Sequence, residues 1–149
     1  MDEISPPKVL FLCVHNSSRS IMAEALVNHY LADNWRAYSA GTDPKEVNSL
    51  AIRALRELGI EITGAKSKHL NVFTGQHFDC VITLCDEADE AKESCPLWSD
   101  STQYEHIGFP DPSTAKGDDL ARLKIFREIR DQIKEKIIPK LLELRSNLC

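Results

Sequence analysis

The chain has 149 residues, of which 42% are hydrophobic, 28% charged and 7% aromatic, and we expect residues 1–149 to form a single globular domain. A chain of this length can fold without disulfides, so its five cysteines are expected to be free thiols rather than the frame of a small secreted protein. The net charge of -5 argues against a nucleic-acid binder, which needs an excess of lysine and arginine.

The beginning of the sequence carries no pattern typical of a membrane span or an export signal. Its most apolar run, residues 9–14, follows the acidic Asp2 and Glu3, where a signal peptide has positive charge, and the run is too short to cross a bilayer. We therefore expect no membrane association and a cytoplasmic location. Thiols are kept reduced there, and cysteine clusters tend to be catalytic, redox-active or metal-binding.

The first half of the chain alternates strands and helices. Residues 8–14 form a continuous apolar run of strand length, which is typical of a buried parallel strand. A polar turn at 15–20 follows, and apolar residues at spacings of three and four then predict a helix through about residue 33. Residues 35–40 are predicted as the second strand. A second helix, with its apolar face between residues 50 and 58, is predicted to end at Gly59.

The second half continues the alternation. In chain order we predict a helical turn at 70–73, a buried strand at 78–84, helical character at 86–92 and a strand at 104–109. A long helix begins at about Asp118, and we expect a kink or a break at Pro139 because proline lacks the backbone N–H. These elements predict an α/β fold with one open four-stranded parallel sheet and helices on both faces.

The turn after the first strand has the pattern of an anion site. Cys13 ends the strand and Arg19 follows six residues later at a helix start, so both lie at the sheet edge where such folds bind ligands. Backbone N–H groups of a loop at a helix N-terminus converge on an anion. We predict that a tetrahedral oxyanion is bound by the loop residues Val14, His15, Asn16, Ser17, Ser18, Arg19 and Ser20.

Within this loop the side chains have separate predicted roles. Arg19 can donate two hydrogen bonds to the anion, and the positive field around it favours the thiolate form of Cys13, which makes that residue a nucleophile. Ser20 or Ser17 can donate a hydrogen bond to the sulfur, and Asn16 can brace the loop. The alternative is that Cys13 is a small apolar strand residue and Arg19 a solvated surface charge.

The stretch Val-Leu-Phe-Leu-Cys-Val-His-Asn-Ser-Ser-Arg-Ser-Ile-Met-Ala-Glu-Ala, residues 9–25, resembles the active-site loop of the low-molecular-weight protein tyrosine phosphatase superfamily. Its Met-Ala-Glu continuation is similar to the arsenate reductases of that superfamily that are recycled by thioredoxin. Further matches follow in the family's order at residues 39–42, 81–86, 95–96 and 106–112. The resemblance covers nearly the whole chain. It implies a flavodoxin-like strand order and an enzyme that uses no cofactor.

An Asp-Pro pair follows the fourth predicted strand. An oxygen leaves a tetrahedral centre slowly unless it is protonated, and a positioned carboxylic acid contributes a factor of about 10²–10⁴. Asp111 lies at the same predicted sheet edge as Cys13, and the resemblance implies that it is the general acid. The alternative is a simple Asp-Pro turn.

For an arsenate reductase, the resemblance implies a relay of three thiols. Cys13 attacks arsenate, Cys85 attacks the sulfur of Cys13 and releases arsenite, and Cys95 then forms a disulfide with Cys85 that thioredoxin reduces. Cys95 lies ten residues after Cys85, a longer interval than is usual in the family. Ten helical residues span about 15 Å, whereas the α-carbons of a disulfide lie within about 4.4–6.8 Å of each other, so this segment must loop back or unwind.

The remaining cysteines are not assigned to the relay. Cys80 is interpreted as a core residue and Cys149 as a terminal thiol. The alternatives for the relay pair are that Cys85 is a buried strand residue and that Cys95 is a chance surface thiol. The chain has no C-x-x-C pair or matching histidine spacing, so we predict no metal site made of cysteine.

Two other functions stay open. A phosphatase on the same scaffold needs only Cys13, Arg19 and Asp111, and a protein that does not catalyse a reaction could be an oxyanion sensor or a redox switch. Ser-Thr-Ala follows Asp111-Pro112, where tyrosine phosphatases of this fold commonly have an aromatic residue, and the loop lacks a second cysteine. Both features favour the reductase.

The sequence does not decide between thioredoxin and glutaredoxin as the electron donor. We expect a monomer, because the apolar face of the C-terminal helix is predicted to lie in the core.

The resemblance also implies a monovalent cation beneath the loop. Asn16, Glu24 and Ser39 match its side-chain ligands, but Lys68 stands where a fourth ligand, an acid, is expected. We hypothesise that the Lys68 ammonium replaces the cation and pairs with Glu24. The alternative is a solvated lysine.

Overall fold

The computed structural model describes residues 5–62, 64–86 and 98–147. Within them, four parallel strands form one sheet in the order β2-β1-β3-β4. The strands are β1 (Lys8–Cys13), β2 (Arg36–Gly41), β3 (Phe78–Thr83) and β4 (Ser101–His106). The helices are α1 (Arg19–Tyr30), α2 (Ser49–Arg56) and α3 (Asp119–Asn147), with short 3-10 helices at Leu70–Phe73 and Pro112–Thr114. The predicted α/β class, with one four-stranded parallel sheet and this strand order, is confirmed.

The two central strands explain the apolar runs of the sequence. The side chains of β1 and β3 alternate between two cores, because successive side chains of a strand point to opposite faces of the sheet. Val9, Phe11 and Ile82 pack in the larger core, which also holds the buried residues of all three α-helices. Leu10 and Val81 pack in a smaller core on the other face, together with the 3-10 helix Leu70–Phe73. In the part of the chain that the structure describes, no helix has the length and apolar character of a membrane span.

Strand β4 lies three residues earlier than predicted. It is an edge strand in which half-buried and exposed residues alternate from Ser101 to His106, so it has no apolar run that would mark its bounds. The apolar residues that follow instead connect the strand to the site, since Ile107 N–H donates to the carbonyl of Thr83 at 2.9 Å and Phe109 N–H to that of Leu84 at 3.1 Å. Of the helical stretch predicted at 86–92, only residue 86 lies within the described residues.

Helix α3 continues through Pro139 to Asn147, so of the predicted kink or break the break does not occur. Proline within a helix costs about 3 kcal/mol. Two features offset that cost here. The buried side chains of Leu141 and Leu144 continue the apolar face beyond the proline, and Trp35 Nε1 donates to the carbonyl of Leu141 at 2.9 Å.

Candidate active site

The loop 14–18 between β1 and α1 surrounds the sulfur of Cys13, which is 2% exposed. Ser20 Oγ lies 2.9 Å from Cys13 Sγ, and the backbone N–H of Asn16 donates to the same sulfur at 3.3 Å. Asn16 has a φ of 50°, a left-handed conformation that asparagine tolerates better than most residues. The loop and the first turn of α1 therefore each place one polar group against the sulfur.

A chain of hydrogen bonds leads from Lys68 through Asn16 to Ser20, the serine beside Cys13. The backbone N–H of Lys68 donates to Asn16 Oδ1 at 2.8 Å, which fixes the orientation of the amide. Asn16 Nδ2 consequently donates to Ser20 Oγ at 2.7 Å. Because Ser20 Oγ accepts in that bond, its own proton is available to the sulfur of Cys13. The Ser20 hydroxyl is thus placed to donate to the Cys13 sulfur, and no described hydrogen bond joins Ser17 to that sulfur.

The carbonyl groups of the loop are held on its outer side by neighbouring segments. Those of Val14, His15 and Ser17 accept backbone N–H groups of residues 43, 45 and 48 at 2.8, 3.0 and 2.9 Å. With the carbonyls turned outward, the loop can direct N–H groups inward, as Asn16 N–H does toward Cys13. Gly41 permits this packing, since a Cβ there would lie 2.5 Å from the Val14 carbonyl oxygen.

Arg19 and Asp111 meet across the mouth of the loop. The Arg19 side chain is 3% exposed, and its Nη2 lies 3.7 Å from Asp111 Oδ2. Its Nη1 donates to the Phe109 carbonyl at 3.2 Å, which ties α1 to the segment that carries the acid. The other oxygen, Asp111 Oδ1, accepts from the Ser113 N–H at 2.9 Å and from Ser113 Oγ at 2.7 Å. The two oxygens of Asp111 are therefore distinct, and Oδ2 is the one turned toward Arg19.

The structure brings most of the predicted residues together. One small cavity is lined by Cys13, His15, Ser17, Ser18, Arg19 and Asp111. Asn16 and Ser20 contact the sulfur, while Val14 contributes its carbonyl to the outer side of the loop. The arrangement places a thiol, a buried guanidinium and a carboxyl around one small cavity, which are the groups that can attack and hold an oxyanion.

Cys85 lies at the same edge of the sheet, two residues beyond the end of β3. The Leu84 N–H donates to the Leu12 carbonyl at 2.9 Å, so the segment with Cys85 runs directly beside the one with Cys13. Cys85 is 2% exposed. Gly108 allows the connection from β4 to pass close by, since a Cβ there would lie 2.7 Å from the Cys85 carbonyl oxygen. Cys95 lies outside the described residues.

The other cysteines stand apart from this cavity. Cys80 is fully buried in the larger core, and burial raises the pKa of its thiol to about 12, so it stays protonated at neutral pH. This agrees with its interpretation as a core residue. Cys149 lies outside the described residues. Among the residues with described positions, no group of three or more His, Cys, Asp or Glu side chains could hold a metal ion.

Several contributors to the site were not predicted. Ser113 orients Asp111, and its position two residues after that aspartate, directly behind Pro112, is a capping pattern that could have indicated it. The Phe109 carbonyl and the Lys68 N–H act through backbone groups at long sequence separation, and no sequence pattern shows these contacts.

Glu24 and Ser39 meet beneath the loop, but Lys68 does not form the hypothesised ion pair. Ser39 Oγ donates to the Glu24 carboxylate. The Lys68 ammonium instead donates to the Lys66 carbonyl at 3.0 Å, and only its longer-range attraction reaches Glu24. Burial raises the pKa of Glu24, and the Ser39 hydrogen bond and the Lys68 charge oppose that rise without cancelling it.

Replacing Glu24 with glutamine is expected to stabilise the protein more at neutral than at acidic pH. A carboxyl whose pKa is raised by folding favours the folded state at low pH, and that contribution is lost as pH rises through the folded pKa. Glutamine does not ionise, so Glu24→Gln lacks this loss. Urea unfolding of both proteins between pH 4 and 7 measures the difference in unfolding free energy, which should increase with pH. A difference that is the same at every pH would contradict the prediction.

The sequence matches the low molecular weight phosphotyrosine protein phosphatase family over residues 8–148. An arsenate reductase of Shouchella clausii is 39% identical over 129 residues, which cover 87% of this chain and 91% of the relative. The solved structure of an arsenate reductase in the phosphate binding state has a TM-score of 0.74 at 29% identity, covering 96% of this chain and 99% of that chain. A thioredoxin-dependent arsenate reductase of Corynebacterium glutamicum has a TM-score of 0.62 at 29% identity, covering 92% of this chain and 62% of the other.

Proposed function

The chain belongs to the low molecular weight phosphotyrosine protein phosphatase family, and from that premise we propose that it reduces arsenate to arsenite with electrons from thioredoxin. The observation that carries the proposal is the cavity in which Cys13, Arg19 and Asp111 meet, with the buried Cys85 at the same sheet edge. Phosphate and sulfate have the same tetrahedral shape, and we expect them to compete with arsenate for the loop.

The first step forms a bond between sulfur and arsenic. The Ser20 hydroxyl and the Asn16 N–H stabilise the Cys13 thiolate, and Arg19 together with the loop N–H groups holds the arsenate oxygens. The thiolate attacks arsenic, and the oxygen of one arsenate hydroxyl group departs. Asp111 Oδ2 donates the proton that lets this oxygen leave as water, while Ser113 holds Oδ1.

The second step transfers two electrons to arsenic. The Cys85 thiolate attacks the sulfur of Cys13, a disulfide forms, and the electron pair of the sulfur–arsenic bond stays on arsenic, which leaves as arsenite. The main-chain contact between Leu84 and Leu12 supports this step, because it brings the two cysteine segments side by side. Cys95 then attacks Cys85 and frees Cys13, and thioredoxin reduces the Cys85–Cys95 disulfide. The role of Cys95 rests on the family resemblance.

A phosphatase activity on small phosphoesters is the second candidate. The cavity contains the three groups that this reaction needs, Cys13, Arg19 and Asp111. The residues after Asp111 form the short helix Pro112–Thr114, with no aromatic ring to stack on a phosphotyrosine. This favours an inorganic oxyanion or a small phosphoester over a tyrosine phosphate.

The test of the proposed function is arsenate-dependent consumption of NADPH in the presence of thioredoxin and thioredoxin reductase. We expect consumption that depends on arsenate and on this protein together. NADPH consumption only with glutathione and glutaredoxin would show that these, and not thioredoxin, supply the electrons. No consumption with either system would contradict the reductase function. The relay requires thiols that are kept reduced, and we propose a cytoplasmic location for this reason.

Asp111→Asn is expected to slow the first chemical step by a factor of about 10²–10⁴ while phosphate still binds. Asparagine can still accept the Ser113 hydrogen bonds through its amide oxygen, but it cannot supply a proton in place of Oδ2. Arsenite formed in a single turnover, followed by rapid quench, measures the rate. The exposed Asp33 serves as the control, and Asp33→Asn should leave the rate unchanged. If the Asp111→Asn rate lay within a few-fold of the rate of the unmodified protein, Asp111 would not be the general acid.

A further inference from the structure

The Ser18 hydroxyl is buried and makes no hydrogen bond among the described residues. The residue is 3% exposed, and its Oγ has no hydrogen-bond partner in the structure of residues 5–62, 64–86 and 98–147. Ser18 is the N-cap residue of α1, yet its side chain does not cap the helix. Serine is common at this position because its oxygen accepts an N–H of the first turn, and buried hydroxyls are rarely left without a partner.

The position of Ser18 points to the missing partner. Ser18 lines the same cavity as Cys13, Arg19 and Asp111. The hydroxyl is not engaged by the sulfur, whose described hydrogen bonds come from Ser20 Oγ and the Asn16 N–H. A capping bond would also occupy an N–H of the first turn of α1, so its absence keeps both the hydroxyl and that N–H available to an anion.

We propose that the Ser18 hydroxyl donates a hydrogen bond to one oxygen of the bound oxyanion, in addition to the bonds from Arg19 and the loop N–H groups. This inference rests on the proposed function, since it assigns a further binding group to the same cavity. The hydroxyl is already removed from water and has no protein bond to break, so anion binding satisfies it without a compensating loss. An anion oxygen, which only accepts hydrogen bonds, fits a serine hydroxyl that lacks an acceptor.

The test compares the affinity for inorganic phosphate with thermal stability in Ser18→Ala. A hydrogen bond to a charged acceptor corresponds to a loss of about 10-fold or more in affinity, which calorimetric titration with phosphate measures. The thermal midpoint without phosphate should not fall, because the hydroxyl makes no bond in the free protein. Ser49→Ala, at an exposed serine at the start of α2, is the matched control and should leave both quantities unchanged.

An unchanged phosphate affinity in Ser18→Ala would overturn the proposal. A weaker affinity accompanied by a lower thermal midpoint would overturn it as well, because that pair of results indicates a structural role. The titration uses neither arsenate nor thioredoxin. Weaker phosphate binding in a protein that fails to reduce arsenate would therefore support the role of Ser18 and contradict only the reductase function.

Discussion

Cys13→Ser is expected to abolish arsenate reduction while the fold and phosphate binding remain. A serine hydroxyl can still contact Ser20 and the Asn16 N–H, so the loop keeps its local hydrogen bonds. It is not ionised at neutral pH, however, and it cannot form the disulfide through which electrons reach arsenic. NADPH consumption with thioredoxin should fall to the level measured without the protein.

The control for this prediction is Cys149→Ser, which removes a thiol that has no assigned role. It should reduce arsenate at the rate of the unmodified protein. Phosphate titration of Cys13→Ser separates a chemical defect from a folding defect, because only a folded loop binds the anion. If Cys13→Ser folded, bound phosphate and still reduced arsenate, the nucleophile would have to be another residue.

Cys95→Ser is expected to limit each chain to one arsenite. The first two steps require only Cys13 and Cys85, so they proceed, but Cys13 then stays in a disulfide that no neighbouring thiol resolves. Arsenite measured against protein concentration should reach a ratio of about one and stop, since the relay is broken at its third thiol. Hydrolysis of a small phosphoester, which needs no relay, should be retained.

Cys80→Ala provides the comparison for Cys95→Ser. The Cys80 thiol is buried in the core, and burial raises its pKa to about 12, so it takes no part in exchange at neutral pH. This variant should turn over repeatedly. Repeated turnover of Cys95→Ser with thioredoxin would show that Cys95 is not the resolving thiol.

The sequence was sufficient to predict the loop because strand, cysteine, arginine and helix start are adjacent along the chain. Cys13 and Arg19 lie only six residues apart, and a buried parallel strand followed by a helix brings them to one edge of the sheet. Asp111 was predicted for a similar reason, since parallel strands end at the same edge. Local patterns thus predicted the groups to which the proposed mechanism gives chemical roles.

The sequence was insufficient where contacts join distant residues. The role of Ser20 depends on the orientation of the Asn16 amide, which the backbone N–H of Lys68 fixes from 52 residues away. The two oxygens of Asp111 differ because Ser113 and Arg19 approach from opposite segments. Helix α3 continues through Pro139 because buried residues beyond it pack against the core, which local propensity does not include.

The relay through Cys85 and Cys95 is the central claim, and disulfide mapping tests it most directly. The fully reduced protein is mixed with one equivalent of arsenate without thioredoxin, quenched in acid, digested and mapped by mass spectrometry. The relay predicts about one arsenite per chain, a Cys85–Cys95 disulfide and a reduced Cys13 thiol. Arsenite formed while Cys85 and Cys95 both remain thiols, or a protein that forms no arsenite, would contradict it.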